Sequence, residues 1–300
     1  SFSQGGNASS GNTGNGGTIT VSSTTGNILT EGLFVLSNAQ SSSLSFATPT
    51  SSGNSGDGGN VIFSSTSGNI TINSIVTSSS HSQATSLMSA TADISGDGGN
   101  ISITSDSGTI TLNPPEQFLL FPEFTGIISA SISSAALISS TDSMPSSSVV
   151  SSGDSGNGGD ITLSSNSGDI IINAPLTSSS FSQSNLNNVQ VSGNATSGGA
   201  ITLTTGAGDI QLNQDLLSLS LSTSGTAGQG GSISLSSREG SVIGDDRSLF
   251  VFSIGERPEA TGAGGSVTLQ ANQAISGLEI LTLANTGPSG NVDIQGLGEH

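Results

Sequence analysis

The chain has no Cys, no Lys, no Trp and no Tyr, and its strongly basic side chains are Arg238, Arg247 and Arg257 alone. Each absence closes a class of function. Without Cys there is no disulfide, no thiolate nucleophile and no cysteine metal site, while the compartment stays open because oxidising and reducing locations both accept a Cys-free chain. Three Arg against 21 acidic residues give a net charge of −18. Such a chain cannot neutralise a run of phosphates, from which nucleic-acid affinity is drawn. The same deficit excludes electrostatic docking on an anionic membrane. Charge of either sign is scarce, at 8% of residues, whereas disordered chains stay open through low hydrophobicity and high charge density. What is abundant is small: 65 Ser and 43 Gly in 300 residues. That bias reads as low complexity unless the apolar residues are ordered, and here they are.

A double glycine followed by strict alternation recurs at Gly16-Gly17, Gly58-Gly59, Gly98-Gly99, Gly158-Gly159, Gly198-Gly199, Gly230-Gly231 and Gly264-Gly265. Typical continuations are Gly17-Thr18-Ile19-Thr20-Val21 and Gly159-Asp160-Ile161-Thr162-Leu163. In six of the seven copies another Gly stands nine residues after the second one, at Gly26, Gly68, Gly108, Gly168, Gly208 and Gly240. A second alternating run follows it, as in Gly68-Asn69-Ile70-Thr71-Ile72-Asn73. Period-two alternation of aliphatic residues with Ser or Thr predicts strands that bury one face and wet the other. The glycines are expected to supply positive φ at the corners between strands.

Two short Gly-bounded strands cannot form a core alone, so each unit must stack on its neighbours. The expected fold is an all-β, right-handed parallel β-helix of about seven rungs, since parallel crossovers are right-handed in roughly 98% of cases. Its Ile, Leu and Val point inward in files and its Ser and Thr form a hydroxyl-rich coat. Spacings between successive second glycines of 42, 40, 60, 40, 32 and 34 fit one rung per unit with a variable excursion on a third side. That side carries Leu217-Ser218-Leu219-Ser220-Leu221 and the near-copies Val76 to Gln83 and Leu176 to Gln183. The longest excursion, 114–155, is apolar, but Pro122 and Glu123 interrupt it, which excludes a membrane span. Residues 1–300 read as a single solenoid segment, and both ends look cut from a longer array.

The pattern G-[ND]-G-G-x-[IV]-x-[ILF]-x-[ST]-x-x-x-G-x-[IV]-x-[IL] resembles the shafts of filamentous-haemagglutinin-type exoproteins, the two-partner-secreted adhesins, and is similar to their Ser/Gly-rich cyanobacterial members. The likeness spans most of residues 14 to 295. It implies a right-handed β-helix, secretion through a partner pore, and a role at the cell surface.

Stacking aligns equivalent residues. Asn73, Asn113, Asn173 and Asn213 all end the second strand, where amides stacked rung on rung can form a ladder; the alternative is that Asn simply tolerates a turn. Asp169 and Asp209 hold equal positions in adjacent units, as do Asp57 and Asp97, which invites calcium or, alternatively, leaves solvated turn acids. The column Thr20, Ile62, Ser102, Thr162, Thr202, Ser234 and Thr268 is too irregular for an ice-binding face. Enzymes on parallel β-helices need clustered carboxylates with a basic partner, or two carboxylates across a glycosidic bond. Here the acids are dispersed, and His81 and His300 have no second ligand at metal-site spacing. No catalytic residue and no organic cofactor is expected. The sequence therefore predicts a non-enzymatic structural protein: a secreted shaft of a surface adhesin or an extracellular filament, whose partners are copies of itself stacked head to tail, or cell-surface and matrix glycans. The alternative is a lectin-like module contacting glycans through Phe118, Phe121, Phe124 and Phe181, weakened by the absence of Trp and Tyr.

Overall fold

The computed structural model describes residues 2–5, 10–32, 34–45, 48–86, 89–115, 126–137, 150–185, 190–191, 193–223, 225–255, 262–285 and 287–296. They form strands joined by turns, with no helix among them, and every pairing between strands is parallel. The fold is a parallel β-solenoid whose rungs stack in chain order.

Face 1 is the strand after the double glycine. It stacks eight deep: Ile19–Ser23, Val61–Ser65, Ile101–Ser105, Ile161–Ser165, Ala200–Thr205, Ser232–Ser237, Ser266–Ala271 and Asn291–Gly296. At the spacing of about 4.8 Å between strands the seven steps span about 34 Å. Register is kept from rung to rung, with Ile161 opposite Ile101 on one side and Ile201 on the other. Face 2 is the short strand after the corner glycine, as at Ile70–Ile72, Ile110–Leu112 and Ile170–Ile172. Face 3 is long: Ile75–Ser86, Ile127–Leu137, Leu176–Asn185 and Leu216–Ser222, continuing into Val242–Gly255 and Ile275–Ala284. Face 4 is minimal, with two-residue strands such as Ala90–Thr91 and Val150–Ser151 and a file of single bridges through Ser55, Ser95, Ser155, Ala195 and Ala227.

The third side is thus not an irregular excursion. Even in the 60-residue unit, Ile127–Leu137 lies in register with both neighbours and Val150–Ser151 takes its place on face 4. Within the stretch 114–155, residues 116–125 and 138–149 lie outside the described ones.

The interior has two parts. Faces 1 and 2 and the start of face 3 enclose one aliphatic cluster, with Ile101, Ile103, Ile161, Leu163, Ile201 and Leu203 at most 1% exposed. Removing such a side chain from water contributes about 1.5–3 kcal/mol. The rest of face 3 reverses the expected polarity. Its inward residues are mostly serines, in files Ser78–Ser129–Ser178–Ser218, Ser80–Ser131–Ser180–Ser220 and Ser82–Ser133–Ser182–Ser222, all buried. Val251 follows Ser218 in the strand Val242–Gly255, and Ala84 and Ala135 close a small apolar cluster with Ala90, Ala92 and Val150. In Leu216–Ser222 the serines point in and Leu217, Leu219 and Leu221 point out. The expectation that Leu faces inward and Ser coats the outside holds for faces 1 and 2 and fails here.

The reason is the width of the interior. At this end face 3 packs directly on the double-glycine segments: a Cβ on Gly58 would lie 2.9 Å from Ser78 C and Ser79 N, and one on Gly158 2.7 Å from Ser179 N. Real Cβ atoms do not approach so closely, and close packing leaves no void for a leucine. Gly opposite Ser fits this width, and the larger Val251 enters only in the later rung, against Gly265.

Candidate functional site

A buried hydroxyl needs a partner, because leaving one unpaired costs about 1–3 kcal/mol. The serine files find theirs across the narrow gap. Ser80, Ser131 and Ser180 meet Ser55, Ser95 and Ser155 of face 4 at 2.7, 2.8 and 2.8 Å, and Ser82 and Ser182 meet Ser52 and Ser152 at 2.7 and 3.0 Å. Where face 4 supplies alanine instead, the hydroxyl turns to a carbonyl: Ser133 donates to Asp93 O at 3.0 Å and Ser220 donates to Thr196 O. Ser129, Ser178 and Ser218 donate to the carbonyls of Gly99, Gly159 and Gly199 at 2.7, 2.8 and 2.7 Å. These bonds tie face 3 to face 4 and to the double-glycine corner that follows it.

The corner residues form further files. Asn113 Nδ2 donates to Asn73 Oδ1 at 2.8 Å, Asn173 Nδ2 to Asn113 Oδ1 at 2.8 Å and Asn213 Nδ2 to Asn173 Oδ1 at 2.7 Å. The ladder is an axial amide chain, each member bonded to the next, rather than a set of independent turns. Asp169 Oδ1 accepts the backbone N–H of Asp209 at 2.8 Å, and Asp209 Oδ1 accepts that of Ser241 at 2.7 Å. The same move occurs one corner away: Asp57 Oδ1 accepts from Asp97 N–H, Asp97 Oδ1 from Asn157 N–H, and Asn157 Oδ1 from Ser197 N–H. A parallel file beside it runs from Asn60 through Asn100 and Asp160 to Ala200 N–H. These side chains satisfy backbone donors of the following rung, a role that sequence reasoning missed. The signal was present, in that Asn and Asp interchange freely at these positions, as an amide or carboxylate oxygen accepting one N–H permits.

The corner glycines have a different reason from the one expected. Of Gly17, Gly26, Gly59, Gly68, Gly99, Gly108, Gly159, Gly168, Gly199, Gly208, Gly231 and Gly240, Gly231 alone has a left-handed φ, +81°. What excludes a side chain is the preceding rung. A Cβ on Gly68 would overlap the carbonyl of Gly26, one on Gly108 that of Gly68, and one on Gly59 that of Gly17. In the first described rung, a Cβ on Gly17 would meet nothing within 4 Å and one on Gly26 only Ser23 Oγ at 3.4 Å. Tightness is reinforced by the hydroxyl that ends six of the eight face 1 strands: Ser105 Oγ accepts from Gly108 N–H at 2.9 Å and donates to Gly68 O at 3.1 Å.

Between the two corner files runs a shallow groove. One stretch of about 480 Å³ is lined by Asp97, Asn100, Asn157, Asp160 and Ser197 over a glycine floor. A second, of about 380 Å³, shares Asp97 and Asn100 and extends to Asp57 and Asn15. It is polar and acceptor-rich. Among the described residues no group of three or more His, Cys, Asp or Glu is placed to hold a metal. His81 sits alone on the outward side of face 3 between Gln40 and Ile132, where burial pushes its imidazole down to about 4. Burial also raises the Asp93 carboxyl. Arg257, His300, Phe118, Phe121 and Phe124 lie outside the described residues. Phe181 is half-buried on the outward side of face 3, beside Leu221.

No helix among the described residues is long and apolar enough to cross a membrane. No protein-family model matches the chain, and no curated protein or solved structure does so.

Proposed function

We propose that the chain is a non-enzymatic structural protein, a β-solenoid shaft of a surface adhesin or extracellular filament, with the right-handed wind expected of parallel crossovers. One observation carries the reading: the polar corner side chains are bonded in series along the axis. Asp57, Asp97, Asp169 and Asp209 each hold the backbone of the next rung, an arrangement that builds a rod. A display role outside the cell accords with a surface rich in hydroxyls and amides and with the likeness to secreted adhesin shafts.

The ends support stacking between copies. At the two edges of this segment, Val292 and Ile294, which continue the two aliphatic files of face 1, are 47% and 55% exposed, and Val21, which heads one of those files, is 37% exposed. An open parallel edge with an exposed aliphatic file is a template for another rung, and a head-to-tail contact that does not close gives a filament. Electron microscopy of concentrated chain is expected to show rods longer than about 34 Å, the span of one stack at 4.8 Å per step, and Val292→Asp with Ile294→Asp is expected to abolish them. Discrete particles at every concentration would sink the filament. A second reading, glycan binding, is favoured by the polar corner groove. Selective signals on a glycan array, lost in Asn100→Ala with Asn157→Ala, would establish it; a blank array leaves the shaft alone. Protease shaving of intact source cells tests the location, and full protection of the chain would contradict surface display.

A further inference from the structure

The reversed polarity of face 3 leaves an apolar surface on its outside, and we infer that this surface pairs laterally with a second copy of the same chain. Two outward files run side by side, Leu217–Phe250–Leu281 and Leu219–Phe252–Leu283, each in register across three strands. The Phe250 and Phe252 rings are 5.3 Å apart and tilted by 44°, and Leu281 and Leu283 are each 42% exposed. Leu221 and Ile254 prolong the patch along the strands, and Phe181 and Ile132 prolong it across them. None of these side chains is charged. The other patch side chains are half-buried against one another, and a contiguous, partly exposed apolar surface of this kind marks a contact site.

Geometry and charge select the occupant. Five strands at about 4.8 Å and three outward residues at about 6.6 Å make a face of roughly 24 by 20 Å. Two such faces remove about 1,000 Å² from water, the lower bound for a specific interface. The ridges of the patch repeat at the rung spacing, so a surface with the same repeat interlocks at every rung, as paired sheets do. A second copy has that repeat by construction. With a net charge of −18 and Arg238, Arg247 and Arg257 as the whole basic complement, the chain repels an anionic lipid surface. A basic partner is drawn to acids instead, and those nearest the patch lie on one margin: Asp215, Asp245, Asp246 and Glu279 each stand on the N-terminal side of the patch residues of their rung. A two-fold pairing with antiparallel strands keeps the acidic margins of the two copies apart, so among the described residues the self-complementary contact sets no acid against another. The pairing is lateral and leaves both ends of the stack free, so it stands whether or not the shaft reading does.

The test is sedimentation equilibrium of the whole chain from about 1 μM to 1 mM, a range suited to an interface at the low end of size. A monomer–dimer equilibrium is expected, tightening by roughly tenfold between 20 and 300 mM NaCl as repulsion between two acidic bodies is screened. Leu219→Ser with Leu217→Thr is expected to weaken it about 100-fold, two lost apolar anchors. Those substitutions install the residues that Ser179 and Thr177 already supply at the same register one rung earlier, so the fold is kept. Val292→Asp with Ile294→Asp is expected to leave it unchanged. Three results would overturn the inference: a monomer at all concentrations and salts with the patch open to hydroxyl-radical labelling, a monomer with Leu219 and Phe252 protected by the chain itself, or association that survives the face variants and disappears with the end variants.

Discussion

The two halves of the interior solve one problem by opposite means. In the aliphatic half, faces 1 and 2 stand far enough apart for Ile and Leu, and stability comes from area removed from water. In the serine half the walls stand closer and are lined mainly by Gly, Ser and Ala, and cohesion comes from directed bonds such as Ser180 to Ser155. The first tolerates changes of shape and suffers from lost volume; the second tolerates lost volume and suffers from added atoms. Burial alone therefore does not say which chemistry a position requires.

Substitutions break this comparison in order of size. Ser180→Leu puts a side chain where none fits and strands the Ser155 hydroxyl, so a loss of about 4–6 kcal/mol is expected by chemical denaturation. Ile161→Ala, in the wide half, is expected to lose about 3–4 kcal/mol through its cavity. By contrast, Ser180→Ala with Ser155→Ala together should be nearly neutral, because both partners of the bond go. A double variant as damaging as Ile161→Ala would refute the division.

His81 sharpens the contrast from outside, on the same strand whose inward residues are serines. Its imidazole lies at about 4 in the folded chain against about 6.5 unfolded. The unfolded chain thus binds the extra proton between those values, and stability falls as pH drops from 6.5 towards 4, by up to about 3 kcal/mol. Its outward neighbours Gln40, Ser79, Gln83 and Ile132 carry no charge to offset this. His81→Gln, the residue at the register position of Gln40, should flatten that slope in urea titrations at pH 4 to 7.

The ladders give smaller effects. Asn113→Ala removes one amide bond each way and is expected to cost about 1–2 kcal/mol, whereas the end member Asn213 should cost about half as much. Asp169→Asn with Asp209→Asn keeps both acceptors and removes two like charges one rung apart, so a gain of a few tenths of a kcal/mol is expected. The melting temperature should also be indifferent to EDTA. A calcium site there would reverse both signs.

Much of this was legible in the repeat. The double glycine fixed the rung, the alternation after it fixed faces 1 and 2, and four asparagines at equal positions pointed to their ladder. The inside of face 3 was not, because a period of two assigns alternate residues to opposite sides without saying which side is the interior, and hydrophobicity gives the wrong answer for Leu217-Ser218-Leu219. The informative signal was constancy between copies. Positions 78, 129, 178 and 218 are all Ser, while the outward position beside them reads Ser79, Ala130, Ser179 and Leu219. The bonds of the corner acids to the next rung were hidden for a related reason: an Asp that accepts a backbone N–H from the next rung looks, in one unit, like any turn residue.

The unit of 60 residues lays down its face 3 strand in the same register as its 40-residue neighbours. Lateral pairing, not contour length, thus decides where each strand sits, and chain can be spliced in at the junctions without disturbing the layers above and below. Such a scaffold can acquire new appendages by recombination while its load-bearing stack stays untouched, so novelty between related chains should collect at the entry and exit of face 3.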